Sequence, residues 1–116
     1  MFYFLIMENE THLDTVFYAL ADARRRRMLE ALAESPKAVG DLASSAGLRF
    51  SAASKNIALL EAAGLLYKSR QGRQIFCHMN FDVWKDVAGY VAMHAKFWSG
   101  RLNELEKYLG EVNGND

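Results

Sequence analysis

The chain has 116 residues, 51% hydrophobic and 24% charged, with one Pro, one Cys and no low-complexity tract. That is enough for one modest core, too little for two domains or a large catalytic cleft, and too apolar for a disordered chain. Fourteen basic and fourteen acidic residues cancel, so whole-chain charge does not announce a nucleic-acid partner.

The apolar run over residues 1–6 is too short to cross a bilayer and lacks the flanks of a signal peptide, so no membrane partner is expected. Residues 1–10 are expected to form an N-terminal extension, within which Met7 offers an alternative start, ahead of a domain over residues 11–110. Residues 111–116 are expected to form a flexible tail. Leu13, Val16, Phe17 and Leu20 recur at helical spacing and predict a first helix over residues 11–21. Asp22 is a suitable N-cap for a second helix running to about Glu34, with Met28, Leu29 and Leu32 on its apolar side. The four arginines 24–27 fan around this helix, and Arg25 lies over the apolar side, where a snorkelling or salt-bridged structural role is expected.

Residues 39–46 and 51–63 predict two short helices joined through Gly47, Leu48, Arg49 and Phe50, a helix-turn-helix, with Gly64 closing the second. On a wheel, Ala53, Ile57 and Leu60 gather on one side of the second helix. Ser51, Lys55, Ala58 and Ala62 gather opposite, flanked by Ala52 and Ser54. Small and polar side chains suit close approach to a major groove, whereas an ordinary solvated helix more usually carries Glu, Lys and Gln there. Residues 65–70 and 73–79 alternate enough to pair as strands around a Gln71-Gly72 turn, with Ile75 and Cys77 on one face. Arg70, Gln71 and Arg73 then sit at a protruding tip with Lys68 behind, placed for sugar-phosphate or a minor groove. Residues 24–73 hold ten basic against four acidic residues, and both ends of the chain are net acidic. Such a middle can bind phosphate; a scatter of solvated charges is the alternative.

Trp84, Ala88, Val91, Ala95, Trp98, Leu102, Leu105 and Leu109 recur in steps of four and three, a seam of 3.5 period. With two tryptophans it exceeds the needs of one small core and implies a homodimer, with Leu13 and Phe17 also in the interface; the alternative is a segment that folds back as two helices, bent at Gly100.

These elements and their wording resemble the winged-helix repressors of the ArsR/SmtB type. FYALADARRRRMLEAL over residues 17–32 is similar to that family's opening signature, with Ala23 and Arg24 where Pro and Thr are usual. VGDLASSAGL over 39–48 and SAASKNIALLEAAGLL over 51–66 resemble its helix-turn-helix, with Asn56 where His is common, and SRQGRQIF over 69–76 resembles its wing. The resemblance implies a mainly α chain with a small β-hairpin, a winged helix-turn-helix that dimerises through its terminal helices. It implies a homodimeric transcriptional repressor on a partly palindromic operator in double-stranded DNA. The expected contact set is Arg49, Ser51, Ala52, Ser54, Lys55 and Asn56 with Lys68, Arg70, Gln71 and Arg73 of the wing. The expected dimer set is Leu13, Phe17, Trp84, Val91, Trp98, Leu102 and Leu105.

Family members often sense metals through cysteines in the first helix of the motif, but DLASSA at residues 41–46 holds no thiolate. Asp82, Asp86, Tyr90 and His94 share a face of the last helix, yet two carboxylates and one His fall short of a transition-metal set unless a partner supplies His12 or His78. Neither metal nor cofactor is expected, and the inducer stays open. Cys77, on a strand among apolar neighbours, reads as a buried filler. No phosphate-cradling glycine motif, nucleophile elbow or catalytic carboxylate pair occurs, so an enzyme is not expected. The competing class is a winged-helix interaction module that no longer binds DNA.

Overall fold

The computed structural model describes the backbone of residues 2–114 and the side chains of residues 10–113. In chain order the elements are α1 (Phe2–Leu20), α2 (Ala23–Glu34), β1 (Lys37–Ala38), α3 (Val39–Ser45), α4 (Phe50–Ala62), β2 (Leu66–Gln71), β3 (Gln74–Met79) and α5 (Phe81–Gly114). They divide into two units, Met1–Val83 and Trp84–Asp116. The first helix is assigned from Phe2, well ahead of the expected start at residue 11. Side chains of residues 1–9, where the expected extension falls, and residues 115–116 of the expected tail lie outside the described residues.

In the first unit, α2 starts where its cap dictates. The Asp22 carboxylate accepts hydrogen bonds from the backbone N–H groups of Arg24 and Arg25, at 2.8 and 3.4 Å, satisfying two of the donors a helix start leaves unpaired. Its apolar side buries Met28, Leu29 and Leu32 beside Leu42 of α3 and Ala53, Ile57 and Leu60 of α4. The α3 helix ends in a Schellman arrangement: Gly47, at φ 66°, donates to Ser44 O and Leu48 donates to Ala43 O. The same pair of bonds closes α4, from Gly64 to Glu61 O and from Leu65 to Leu60 O.

The sheet order is β1-β3-β2, all antiparallel. The two-residue β1 strand, pairing Lys37 with Cys77 and Ala38 with Phe76, extends the expected hairpin into a three-stranded sheet. It follows Pro36 and is too short to show any alternation in sequence. Within the hairpin Gln71 pairs with Gln74, so the loop is Gly72-Arg73 and not the expected Gln71-Gly72. Gly72 at φ 65°, with no positive φ at Arg73, gives the type II′ pattern, whose first central position needs glycine. Cys77 and Met79 face the core, whereas Ile75, of the same parity, lies beyond the core's edge and is exposed. Burial pushes the Cys77 thiol up, which keeps it protonated and unreactive.

The arginine run is divided among several tasks. Arg25 is 7% exposed. Its Nε–H donates to Ala19 O at 2.7 Å, Nη2 to Tyr18 O at 3.0 Å and Nη1 to Asn56 Oδ1 at 3.2 Å. Arg26 Nη1 donates to Leu20 O at 2.7 Å. Two side chains of α2 therefore satisfy the last carbonyls of α1, where the helix dipole also favours a cation. Arg24 turns back to Asp22, with Nη2 to Oδ2 at 3.1 Å.

In the second unit α5 is one continuous helix through Gly100, about 50 Å long at 1.5 Å per residue. From Val91 to Val112 its side chains are exposed, and the seam residues Val91, Trp98, Leu102, Leu105 and Leu109 are among them.

Replacing Arg25 with Met keeps the apolar stem and leaves three acceptors, two of them buried, without their donor. Urea unfolding should show a loss of about 2–4 kcal/mol, and Arg25→Lys should recover little of it, because one ammonium cannot span three diverging acceptors. A loss under about 1 kcal/mol would contradict this role.

The Arg24 guanidinium, joined by the backbone N–H groups of Arg24 and Arg25, holds the Asp22 carboxyl well below the usual carboxylate range against an opposing desolvation. A depressed carboxyl binds its proton more weakly when folded than unfolded. Its contribution is therefore present above the unfolded pKa of about 3.9 and is lost as pH falls through the folded value. Asp22→Asn, which retains a capping oxygen, should flatten the acid limb of the stability profile below about pH 5. Superimposable acid limbs in the two proteins would argue against the cap.

Candidate nucleic-acid interface

The inward face of α4 is tied down by Asn56. It is 8% exposed, with Oδ1 accepting from Arg25 and Nδ2 donating to Ala52 O at 2.9 Å. Both ends of its amide are occupied inside the protein. Asn56 therefore leaves the expected contact set; its polar side chain answers the guanidinium of α2. Opposite it, Ser51, Lys55, Ala58 and Ala62 are exposed, and Ala52 and Ser54 are half-buried at the flanks. Arg49, the residue before α4, is exposed beside the helix start. An outer face with few long side chains, begun by one cation and carrying another a turn along, is suited to close approach by a duplex.

The sheet register sorts the wing. Leu66, Lys68 and Arg70 stand opposite Met79, Cys77 and Ile75, on the face that carries the core residues. Lys68 accordingly reaches α4, its Nζ 3.5 Å from Glu61 Oε1, both partly exposed. Such an exposed pair is weak, and the buried Leu66, Cys77 and Met79 hold the sheet on the core. On the other face Tyr67 and His78 stack with centroids 4.8 Å apart, and Ser69 Oγ lies 2.6 Å from His78 Nε2. Arg70, Gln71 and Arg73 are exposed at the tip.

Phe50 is the feature that sequence reading missed. It reads as part of the turn, yet it is the first residue of α4 and 64% exposed. The signal for it is the wheel extended one residue backward, which sets Phe50 with Ser54 and Glu61 on the flank that faces the wing.

Of the expected dimer residues, Leu13 and Trp84 are half-buried, and Phe17, Val91, Trp98, Leu102 and Leu105 are exposed. On α5 the Tyr90 and His94 rings lie 4.4 Å apart and tilted. Among the described residues no three His, Cys, Asp or Glu side chains are grouped to hold a metal ion. No described helix is long and apolar enough to cross a membrane.

The family model described as "Bacterial regulatory protein, arsR family" matches residues 22–68, from the cap of α2 into the wing. No curated protein matches the chain. Among solved structures, the chain is similar to an ArsR family transcriptional regulator at 30% identity and TM-score 0.69, covering 76% of this chain and 97% of the other. It is similar at 27% identity and TM-score 0.63 to a homodimeric winged helix-turn-helix DNA-binding domain from Mycobacterium bovis, covering 76% and 82%. It is also similar at 26% identity and TM-score 0.63 to NolR from Sinorhizobium fredii, covering 75% and 87%.

The two groups of exposed polar residues should separate in binding assays. Arg73→Gln should weaken binding to every duplex alike and lower the magnitude of the salt slope by about one per subunit. Lys55→Ala or Ser51→Ala should change the ranking of duplexes. If Arg73→Gln alters sequence preference while Lys55→Ala does not, the division is reversed.

Proposed function

The chain belongs to the ArsR family of winged-helix transcriptional regulators, a family of DNA-binding proteins and not of enzymes, and on that premise we propose that it is a homodimeric repressor. Each α4 enters the major groove of one half of a partly palindromic operator, and the wing over residues 68–75 rests on the backbone or in the minor groove. The observation that carries this reading is the outward face of α4, small and polar, lying beside a wing tip that presents Arg70 and Arg73. The dimer rests on α5, where Trp98 is 58% exposed within a seam of 3.5 period, more bare apolar surface than a monomer usually keeps. That a similar domain from Mycobacterium bovis is homodimeric supports pairing of two chains.

A dimer neutralising about eight phosphates should lose affinity with a log–log salt slope near −7. Retardation of duplexes selected from random DNA tests the reading. An absence of binding at low salt would favour the interaction module. The dimer has its own test: Trp98→Glu should sediment as a monomer and bind DNA weakly, because a single half-site holds poorly. Unchanged sedimentation would show that the seam serves another purpose.

A further inference from the structure

Between the start of α4 and the wing lies an apolar hollow of about 260 Å³. Phe50, Ile75, Val39 and Ala38 form its apolar lining, and Arg73 and Gln74 of the wing stand with them. Phe50 and Ile75 are 64% and 45% exposed, which is unfavourable for two large side chains without a partner. The surroundings restrict what that partner can be. Arg73 lines the hollow, and Arg49 directly precedes Phe50 and is exposed, so an occupant with negative charge beside its apolar part is favoured. In the major groove a duplex presents that combination as the 5-methyl group of thymine near backbone phosphate. The recognition helix of such a motif meets base edges with its N-terminal residues, and Phe50 is the N-terminal residue of α4.

We propose that Phe50 is a specificity-determining residue of the DNA interface, its ring seated against the 5-methyl group of a thymine in each half-site, with Ile75 walling the hollow and Arg73 on the neighbouring phosphate. This rests on the DNA-binding reading above and adds to it a base preference that Ser51 and Lys55 do not supply. The methyl is recognised by burial alone, so its removal leaves every hydrogen bond of the base pair intact.

The test uses the full chain and a duplex selected by the wild-type protein, with each thymine replaced in turn by deoxyuridine. At one position per half-site the replacement should weaken wild-type binding about fourfold, the value of one buried methyl. Phe50→Ala should bind the unmodified duplex more weakly and be indifferent to deoxyuridine at that position. Because the ring is largely solvent-exposed, this variant should unfold at the same urea concentration as wild type, which a circular dichroism melt can check. Wild-type binding that is insensitive to deoxyuridine at every position overturns the inference and leaves the DNA-binding reading standing. So does a Phe50→Ala protein that keeps full sensitivity. Failure of the wild-type protein to bind any duplex overturns both.

Discussion

The guanidinium of Arg25 joins three helices. It takes the carbonyls of Tyr18 and Ala19 at the end of α1, belongs to α2, and holds Asn56 of α4 across 31 residues of chain. A buried cation is expensive unless its donors are matched, and here each nitrogen of the fork has an acceptor. The Tyr18 ring adds a cationic contact at 5.4 Å. The arrangement fixes the rotation of α4 about its own axis. Once Asn56 points inward, Ser51, Lys55, Ala58 and Ala62 point outward.

The wing depends on the same helix. Its inner face carries Cys77 and Met79 into the core, and the Lys68–Glu61 pair ties its middle to the flank of α4. Arg70 and Arg73 lie beyond the last core contact, and Phe50 sits with the wing residues Arg73, Gln74 and Ile75 around one hollow. Arg24, Arg25 and Arg26 are occupied within the protein by Asp22, by Tyr18, Ala19 and Asn56, and by Leu20. The cations that face solvent near α4 come later in the chain.

Much of this was legible before any coordinates. Helices α2 to α4 announce themselves by local chemistry: Asp22 as a cap, Gly47 and Gly64 as ends, apolar side chains at helical spacing. The structural role of Arg25 followed from its angular position alone. The α5 seam is also a local pattern, and its continuity through Gly100 agrees with the unbroken spacing. What escaped was set by distant partners. Asn56 looks like a surface residue until Arg25 is placed against it. The strand β1 exists only because β3 offers it an edge. The hairpin loop slipped by one residue because its tip is polar on both faces, where alternation carries no register and only the backbone of Gly72 decides. Phe50 was hidden by its neighbours in the turn.

The central claim is that α4 turns one face to the Arg25 clamp and the opposite face, with the wing tip, to a duplex. Following the chain by heteronuclear NMR while a selected duplex is added tests this residue by residue. Backbone shifts should concentrate at residues 49–58 and 70–75, while the Arg25 Nε–H and the Asn56 side-chain amide hold their positions. Perturbations centred on α5, or an Asn56 amide that moves with the first additions of duplex, would contradict it.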